Sequence, residues 1–521
     1  MAAELTLEHG GASRKARRAI VCIGFMGAGK TTAARSAADA LGTEAIDVDA
    51  VIERRVGKPI DRMFDEDGEA AFRAVEERVT LELLDGSWAR VLSLGGGAIT
   101  SEAVRAALSD QLVVWLDVDP ETAWRRAQAT ARPLARSRPE FERAYAERHP
   151  LYAGLADVIV PSERSQAMAE VLEALEALPA ATQVLWAASA SGDYPVYVGP
   201  GLLQSGFWPP AVGGRRFLVT DGLVGGLYGE ALQPLAGRVA IMPGEQSKTV
   251  AHAEIVWTQL ARSGMTREDV VVALGGGVVG DLAGFCAATY QRGVRHVQVP
   301  TTLVAQVDSA YGGKTGIDLE EAKNYVGAYH QPAAVIVDPE ALNTLPAEEL
   351  AAGFAEVVKT ALIAGGELWR QVRDGADPAD PDVIVACART KLGIVARDER
   401  DAGLRQVLNL GHTVGHAIEA VTGYARYRHG EAVALGLLAA LRLSGRPELR
   451  DEVLELFARR GLPTALDGVD PDAVVMATAR DKKRLGERSV PFVLLDEPGA
   501  PRPGCVVETR ALIEAVRELS A

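Results

Sequence analysis

Apolar runs of strand length alternate with helical segments over the first third of the chain. Residues 19–23 have the character of a short buried strand, residues 24–31 form a glycine-rich loop, and residues 32–41 follow with a helical pattern. Residues 45–49 then predict a strand whose end carries Asp47 and Asp49. Strands that alternate with helices in this way favour an α/β fold with a parallel sheet flanked by helices.

The pattern changes twice further along the chain. A helix predicted over 165–178 ends at the breaking residues 179–182, and a strand-rich region begins near residue 183. An apolar strand at 269–274 runs into a glycine turn and a helix, and after about residue 345 the pattern becomes helical. We predict four segments: an N-terminal α/β domain at 1–178 with its core at 19–175, a linker at 179–182, a Rossmann-like α/β domain at 183–345, and an all-α domain at 346–521.

Composition narrows the class of protein. The 521 residues are too many for one hydrophobic core, and 48% hydrophobic with 24% charged residues is typical of a globular protein. A net charge of -15 disfavours a nucleic-acid surface, while anionic small-molecule substrates stay possible. No apolar stretch approaches the ~20 residues that cross a bilayer. The four cysteines form no CxxC pair, which fits a reducing cytoplasm, and the short apolar run at 19–26 does not support export.

Residues 24–31 carry the first chemical signal. Their sequence, GFMGAGKT, matches the GxxxxGK[ST] phosphate loop and stands between a predicted strand and a predicted helix. In such a loop the glycines let backbone N–H groups wrap a phosphate, and the helix N-terminus adds a favourable dipole. Lys30 would meet the β- and γ-phosphates of ATP, and Thr31 would ligate Mg²⁺.

The first third of the chain resembles shikimate kinase. The shared motifs, in family order, are GFMGAGKT (24–31), IDVD (46–49), DGEAAFRAVEE (67–77), LSLGGGA (92–98), RPL (132–134) and R-x-PLY (148–152). The resemblance implies catalytic roles for Asp47 and Lys30, together with a polar lid over 127–147. It implies that shikimate is held by Asp49, Arg73, Gly96 and Arg148. It further implies ATP contacts from Gly27, Ala28, Gly29, Lys30, Thr31, Thr32 and Arg132.

Histidines mark the second chemical signal. Three of the eight in the chain, His412, His416 and His429, fall within 20 residues of one another. Residues four apart share a helix face, so the first two would project toward the same volume, although such a pair can also simply decorate a helix. Glu356 and Lys359 stand three apart on a predicted helix, a spacing typical of an intrahelical ion pair. A glutamate with two histidines is a common catalytic zinc set.

Glycine-rich turns are the third signal. Residues 275–281, GGGVVGD, follow a predicted strand and open a helix, an arrangement that suits a pyrophosphate although it lacks the form GxGxxG. Residues 312–315, GGKT, are not a second phosphate loop, because Asp308 stands where that loop requires glycine. We interpret Lys314 as a lone ligand-binding cation.

From about residue 183 onward the chain resembles 3-dehydroquinate synthase. The matching motifs are PGEQSKT (243–249), GGGVVGDLAGF (275–285), QVPTTLVAQVDSAYGGKTG (298–316), KNYVGAYHQP (323–332), GFAEVVKTALI (353–363), ARDERDAGLRQVLNLGHTVGHAIEA (396–420), HGEAVALG (429–436) and DKK (481–483). The resemblance implies Zn²⁺ or Co²⁺ bound by Glu356, His412 and His429, with catalytic roles for His416, Lys314 and Lys359.

The same resemblance implies two further sets of residues and a homodimer. NAD⁺ would contact Glu245, Lys248, Gly276, Gly277, Asp281, Thr301, Thr302, Lys314 and Lys323. The phosphorylated seven-carbon substrate would be held by Arg292, Asp308, Lys314, Lys359, Lys391, Arg405, Asn409, Lys482 and Lys483. Of these, Arg292 would reach the substrate phosphate of a neighbouring subunit, which implies dimerisation through the synthase half.

The two resemblances together predict a bifunctional enzyme of aromatic amino-acid biosynthesis. One half would phosphorylate shikimate with ATP. The other would convert 3-deoxy-D-arabino-heptulosonate 7-phosphate to 3-dehydroquinate with release of phosphate, using NAD⁺ without consuming it. The alternatives are another sugar-phosphate cyclase or a metal-dependent alcohol dehydrogenase for the C-terminal half, and a noncatalytic nucleotide-sensing module for the N-terminal half.

Overall fold

The computed structural model describes residues 19–86, 91–128, 137–319, 322–484 and 491–520. The chain forms two compact units. The first runs up to residue 187 and includes 195–197 and 209–212, and the second holds 188–194, 198–208 and the residues from 213 onward. The functional domain limits inferred from the sequence stay predictions, because a division into compact units does not by itself delimit them.

A parallel sheet forms the centre of the first unit. Its strands are β1 (Ile20–Ile23), β2 (Ala45–Asp47), β3 (Val91–Ser93), β4 (Leu112–Asp117), β5 (Val158–Pro161), β6 (Gln183–Ala187) and, through residues 195–197, β7 (Tyr194–Val198). The spatial order is β2-β3-β1-β4-β5-β6-β7, and the pairs from β2 to β6 are parallel. The loops that follow β1, β2 and β3 therefore meet at one edge of the sheet.

The helices of the first unit are α1 (Lys30–Leu41), α2 (Val48–Val56), α3 (Ile60–Asp67), α4 (Glu69–Asp85), α5 (Glu102–Leu108), α6 (Pro120–Gln128), α7 (Arg138–Leu155) and α8 (Met168–Ala174). One expectation needs correction. Asp49 lies in the first turn of α2 and not at a strand end, because Asp47 caps that helix by accepting the N–H of Ala50. Within the segment expected as a lid, the residues from Arg138 onward are helical, and Pro139 in the first turn favours this helix start.

The second unit combines a parallel sheet with a helical part. The strands of this sheet are β8 (Arg216–Asp221), β9 (Leu235–Ile241), β10 (Val270–Gly275), β11 (Arg295–Pro300) and β14 (Ala334–Val337), in the spatial order β14-β11-β10-β8-β9. The pairs are parallel throughout. Its helices are α9 (Gly222–Tyr228), α10 (Val250–Arg262) and α11 (Gly277–Thr289). Apolar residues of β10 and α11, such as Val271 and Leu282, belong to one buried core.

The helical part confirms the expected change of pattern after residue 345. It contains α12 (Ala347–Ala364), α13 (Gly366–Arg373), α14 (Pro381–Arg397), α15 (His412–Val421), α16 (His429–Leu443), α17 (Pro447–Arg459), α18 (Pro471–Arg484) and α19 (Thr509–Arg517). Two antiparallel hairpins were not expected from the sequence. They are β12 (Lys314–Leu319) with β13 (Ala322–Tyr329), and β15 (Phe492–Leu495) with β16 (Pro501–Cys505). Among the helices of the described ranges, none combines the length and apolarity that crossing a bilayer requires.

Glycines bring α16 unusually close to its neighbours. A side chain at Gly430 would collide with the backbone of Ala352 on α12, and one at Gly436 would collide with the backbone of Gly411 at the start of α15. Backbones can approach this closely only where the Cβ atom is missing. The first turn of α16 is thereby held against α12, and the start of α15 is held against the middle of α16.

His296, on β11, is a buried polar residue whose burial lowers the stability of the folded state. Within the described part of the chain, neither of its ring nitrogens has a hydrogen-bond partner, and its ring stacks 5.0 Å from that of His330. Burial, aided by His330, lowers the pKa of His296 to about 3. The unfolded chain protonates this ring near the ordinary pKa of about 6.5. The unfolded state therefore binds the extra proton, and stability falls as the pH drops from about 6.5 toward 3.

We expect His296→Phe to stabilise the second unit, because it removes two unpartnered nitrogens and the proton linkage together. The free energy of unfolding should rise by about 1 kcal/mol at pH 7 and by more at pH 5, measured by urea denaturation at both pH values. His252→Phe is the control, since that half-buried ring is hydrogen-bonded to Thr249. Equal effects of the two substitutions would contradict the explanation.

Candidate functional site

The first unit places the glycine loop at the carboxyl edge of its sheet. Gly29 caps α1 with φ 86°, a left-handed conformation that favours glycine, and the loop leads directly into the twelve-residue helix. Lys30 is buried, and its Nζ atom donates to the carbonyl oxygen of Phe25 at 3.1 Å. The loop, the helix N-terminus and the lysine thus form the cradle expected for the phosphates of a nucleotide.

Thr31 and Asp47 form a pair beside this cradle. The Thr31 hydroxyl donates to Asp47 Oδ2 at 2.7 Å. Thr31 follows β1 by way of the loop, and Asp47 ends β2; these strands lie on either side of β3, so both residues stand at the same edge of the parallel sheet. A hydroxyl and a carboxylate are hard oxygen donors, which fits a Mg²⁺ ion that also contacts phosphate.

A polar cluster surrounds the glycines that follow β3. A Cβ atom on Gly95 would lie 2.8 Å from Asp49 Oδ1, and a side chain on Gly97 would overlap the guanidinium of Arg73. Arg148 Nη1 donates to the carbonyl oxygen of Gly96 at 3.3 Å. The missing side chains of these glycines therefore let Asp49 and Arg73 approach the backbone after β3, where Arg148 joins them. Such a set can bind a carboxylate and hydroxyl groups at once.

Two residues of this cluster were missed by the sequence interpretation. Glu76 forms an ion pair with Arg73, and burial raises its pKa while Arg73 opposes the rise. Tyr152 donates its hydroxyl to the same Gly96 carbonyl at 2.5 Å. The spacing of three residues between Arg73 and Glu76 was a signal that could have found the first. Arg132, predicted to reach over ATP, lies outside the described residues.

In the second unit the site is built around Glu356. This residue is 0% exposed in the middle of α12. Its Oε2 atom lies 2.5 Å from Lys359 Nζ, which confirms the expected intrahelical ion pair. Its Oε1 atom faces His429 Nε2 at 3.4 Å and His412 Nε2 at 3.6 Å. Burial raises the pKa of Glu356, but the charge of Lys359 above all opposes burial, and the pKa lies well below its ordinary value.

The three histidines meet as the spacing predicts. The rings of His412 and His416 lie 5.2 Å apart, and those of His412 and His429 lie 5.3 Å apart. Burial, reinforced by Lys359, lowers the pKa of His412 to about 3, so its ring is neutral at pH 7. Nδ1 of His412 lies 3.3 Å from the carbonyl oxygen of Leu410, which leaves Nε2 turned toward Glu356.

Glu356, His412 and His429 fit a metal ion. Their facing atoms lie 3.4 Å and 3.6 Å apart, close to the spacing of about 3.4 Å for tetrahedral ligands with bonds of about 2.05 Å. Within the described residues, no hydrogen bond of ordinary geometry reaches either oxygen of the buried Glu356 carboxylate. His416, Glu419 and His429 form a second possible ligand group, which shares His429 with the first.

Buried cations extend this site toward Asp308. Lys359 is 1% exposed, and its Nζ atom lies 3.8 Å from Asp308 Oδ1. Lys391 Nζ lies 2.9 Å from the same oxygen and donates to the Asp308 carbonyl at 2.8 Å. Burial lowers the pKa of Lys391, and it raises that of Asp308, where the two lysines outweigh burial and hold the pKa below its ordinary value. The arrangement can bind an anionic substrate next to the metal ligands.

The glycine turn after β10 forms a second cradle in this unit. Gly276 caps α11, and a Cβ atom there would lie 2.8 Å from the Thr302 side chain. The N–H of Thr301 donates to the Gly275 carbonyl at 3.0 Å, which holds the ends of β10 and β11 together. A glycine turn between a parallel strand and a helix N-terminus fits a pyrophosphate group.

Charged residues line the same region. Lys248, nearly buried, lies 2.8 Å from Asp281 Oδ2 and 3.6 Å from Glu245 Oε1. Burial lowers the pKa of Lys248, but Asp281 and Glu245 outweigh it and raise the pKa above its ordinary range. Lys323 Nζ lies 3.5 Å from the same Glu245 oxygen. Four of the residues predicted to contact NAD⁺ are therefore joined in one network.

The other predicted substrate residues lie as follows. Arg405 is buried and donates to backbone carbonyls, among them Gly312 at 3.0 Å. Lys314 lies 2.5 Å from Asp401, while Asn409 and Arg292 are exposed. The side chains of Lys482 and Lys483 lie outside the described residues.

Two polar residues of this site were also missed by the sequence interpretation. Glu419 connects His429 with Lys323, and it stands three residues after His416 on α15, a helical spacing that could have found it. Asn324 accepts a hydrogen bond from Lys248 at 2.5 Å. Its position next to Lys323 is the one sequence feature that indicated Asn324 as a site residue.

Family models match three parts of the chain. The model for shikimate kinase matches residues 26–179. The models for the N-terminal and C-terminal parts of 3-dehydroquinate synthase match residues 238–352 and 353–484. The three matches follow one another without overlap, and they contain the cradle of the first unit and the metal-fitting cluster of the second.

Individual relatives carry the same name as the family models that match the second part of the chain. The 3-dehydroquinate synthase of Symbiobacterium thermophilum is 47% identical over 319 residues, covering 56% of this chain and 88% of that protein. The enzyme of the same name from Acidithiobacillus ferrooxidans is 44% identical over 325 residues, covering 58% and 89%.

Solved structures share the fold of the second part. A 2-deoxy-scyllo-inosose synthase complexed with carbaglucose-6-phosphate, NAD⁺ and Co²⁺ is 25% identical with a TM-score of 0.58, covering 64% of this chain and 99% of that one. The 2-epi-5-epi-valiolone synthase from Streptomyces hygroscopicus with NAD⁺ and Zn²⁺ is 28% identical with a TM-score of 0.58, covering 63% and 96%. The chain belongs to the 3-dehydroquinate synthase family, carries a shikimate kinase domain in front of the synthase, and is a bifunctional enzyme of the shikimate pathway.

Proposed function

We propose that the two activities use separate sites, one in each compact unit. In the first, the glycine loop with Gly27, Ala28, Gly29, Lys30 and Thr32 holds the phosphates of ATP, and Arg132 closes over the nucleotide. Thr31 ligates Mg²⁺, and Asp47 lies beside both the ion and the attacking hydroxyl. The 2.7 Å hydrogen bond between Thr31 and Asp47 supports this arrangement. Phosphoryl transfer needs positioning and charge neutralisation, and these residues supply both.

Shikimate binds in the polar cluster after β3. Asp49 accepts from its hydroxyl groups, Arg73 and Arg148 bind its carboxylate, and Gly96 lets the ring approach the backbone. The burial of Arg148, which lowers the pKa of its guanidinium, supports a site for an anion. An anionic ligand would offset the energetic cost of burying that charge.

In the second unit Glu356, His412 and His429 hold a divalent metal ion, Zn²⁺ or Co²⁺. When bound, the metal would polarise a substrate oxygen. His416 lies beside the ligands and moves protons at the substrate. The single observation that carries this assignment is the buried Glu356 carboxylate, whose Oε1 faces the Nε2 atoms of two histidines at near-ligand spacing.

NAD⁺ binds along the glycine turn of the same unit. Gly276 and Gly277 admit the pyrophosphate at the start of α11, and Thr301 and Thr302 border it. The charged residues of the network, together with Lys314, contact the rest of the cofactor, as the sequence resemblance implies; they are Glu245, Lys248, Asp281 and Lys323. The joined ion pairs of this network support a single binding region.

The phosphorylated seven-carbon substrate lies between the metal ligands and the buried lysines. Lys359 and Lys391 neutralise its anionic groups, and Asp308 orients these two lysines, which the distances of 3.8 Å and 2.9 Å support. Lys314, Arg405, Asn409, Lys482 and Lys483 complete the site. Arg292, exposed on its own subunit, reaches the substrate of a second subunit, so the enzyme acts as a homodimer.

The domain limits and the location of the enzyme complete the proposal. The kinase domain extends over 1–178, a linker follows at 179–182, and the synthase consists of an NAD-binding part at 183–345 and a metal-binding part at 346–521. The enzyme works in the cytoplasm, which the absence of paired cysteines in the sequence supports. Its partners are small-molecule substrates.

Chelation should separate the two activities. After treatment with a chelator, dialysis and resupply of Mg²⁺ alone, we expect full kinase activity and loss of synthase activity, since only the synthase keeps a tightly held transition metal. Added Zn²⁺ or Co²⁺ should restore release of phosphate with no net formation of NADH. Stoichiometric NADH would instead favour an alcohol dehydrogenase, and a synthase indifferent to chelation would contradict the metal site.

Lys30→Ala should abolish only the kinase. We expect kcat for shikimate phosphorylation to fall by about 10² to 10³-fold, as for the loss of one preorganised charge donor. The synthase rate should stay unchanged. Arg35→Ala on the exposed face of the same helix is the matched control and should leave both rates intact. Equal loss of the two activities in Lys30→Ala would rule out independent sites.

His412→Ala and His416→Ala should differ although the two residues are one turn apart. The first should lose stoichiometric zinc after dialysis, because it removes a ligand. The second should keep zinc and lose turnover by about 10² to 10⁴-fold, as expected for a proton-transfer group. The measurements are the zinc content and the synthase rate of both variants. Loss of zinc from His416→Ala would contradict its role as a proton-transfer residue that does not bind the metal.

A further inference from the structure

Glu419 is a buried carboxylate between the two ligand regions of the second unit. It is 2% exposed on α15, seven residues after His412 and three after His416, so all three share one helix face. A buried carboxylate is costly unless it is paired, and the partners of Glu419 come from two other elements. These partners indicate what it does.

One oxygen of Glu419 faces the proposed metal site. Its Oε2 atom lies 3.4 Å from His429 Nδ1, while His429 Nε2 faces Glu356 at 3.4 Å. An N–H at Nδ1 that donates to Glu419 leaves the lone pair of Nε2 directed at the metal position. Carboxylates in this place fix the tautomer and orientation of metal-binding histidines.

The other oxygen faces the proposed dinucleotide site. Oε1 of Glu419 accepts a hydrogen bond from Lys323 Nζ at 3.1 Å. Lys323 in turn lies 3.5 Å from Glu245, which lies 3.6 Å from Lys248. One carboxylate therefore contacts both a metal-facing histidine and a lysine of the NAD⁺ region.

We propose that Glu419 is a positioning residue that orients His429 for the metal and Lys323 for NAD⁺, and so couples the two binding sites. The inference rests on the proposed function, since it assumes that both ligands bind where that proposal puts them. Coupling follows because either ligand that fixes its own side of the carboxylate restrains the other side as well.

The test uses the full-length protein, with Co²⁺ and NAD⁺ as probes. Glu419→Gln keeps the shape of the side chain and removes its charge. We expect the Co²⁺ affinity, followed by visible absorption, to fall by about 10 to 100-fold. NAD⁺ affinity, followed by calorimetry, should fall by about fivefold or more. Asp269→Asn is the matched control, because Asp269 is a buried carboxylate of the same unit that pairs with Arg215; it should leave both affinities unchanged.

A second variant, Lys323→Met, tests whether the coupling between the two sites depends on Lys323. In that background Glu419→Gln should still weaken Co²⁺ binding but should no longer weaken NAD⁺ binding. The inference is overturned if Glu419→Gln binds both probes like the wild type, or if its effect on NAD⁺ persists without Lys323. A changed shape and intensity of the cobalt spectrum would overturn it too, since Glu419 would then be a ligand. If the wild type itself bound neither probe, the proposed function would fail instead.

Discussion

The arrangement of the helical part of the second unit depends on the burial of one carboxylate, that of Glu356. A charge removed from water must be surrounded by opposite charges or by a metal ion. Lys359 supplies one compensating charge from the same helix, and two histidines arrive from α15 and α16. Their approach depends on close helix packing, which the glycines at 430 and 436 permit. Compensation of the Glu356 charge therefore requires this close packing of the helices.

Both units contain the same local arrangement, which suits a phosphate group. A parallel strand ends in a glycine turn, and a helix begins where the turn ends, so backbone N–H groups and the helix dipole point at one place. In the first unit the turn follows β1, and in the second it follows β10. Other parallel strands of each sheet add side chains at the same edge, namely Asp47 at the end of β2 and Thr301 after β11.

Alternating charges run through the second unit from its glycine turn to its metal-fitting cluster. Asp281, Lys248, Glu245 and Lys323 follow one another within ion-pair distance, and Glu419 continues the series to His429. Each charge in such a series is compensated by its neighbours, so removing an inner member takes one partner from each of the two residues beside it. The series gives one unit a physical connection between a dinucleotide cradle and a metal cluster.

Local patterns in the sequence were sufficient for much of this description. The loop at 24–31, the spacing of His412 and His416, and the pairing of Glu356 with Lys359 depend on short-range geometry, which sequence specifies directly. The strand limit near Asp49 was displaced, because a helix cap competes with periodicity over only a few residues. The two hairpins were missed, since their pairing depends on contacts beyond each strand.

The resemblance grouped distant residues into sites, but only the tertiary structure decided which of them contact one another. Asp308 and Lys391 are far apart in the chain, and α14 brings them within 2.9 Å of each other. The sequence interpretation assigned no role to Glu419, and the fold places His429 and Lys323 on its two sides. The sequence determines which groups are available and which local elements carry them. Long-range packing determines their partners, because burial and pairing depend on every element that closes around them.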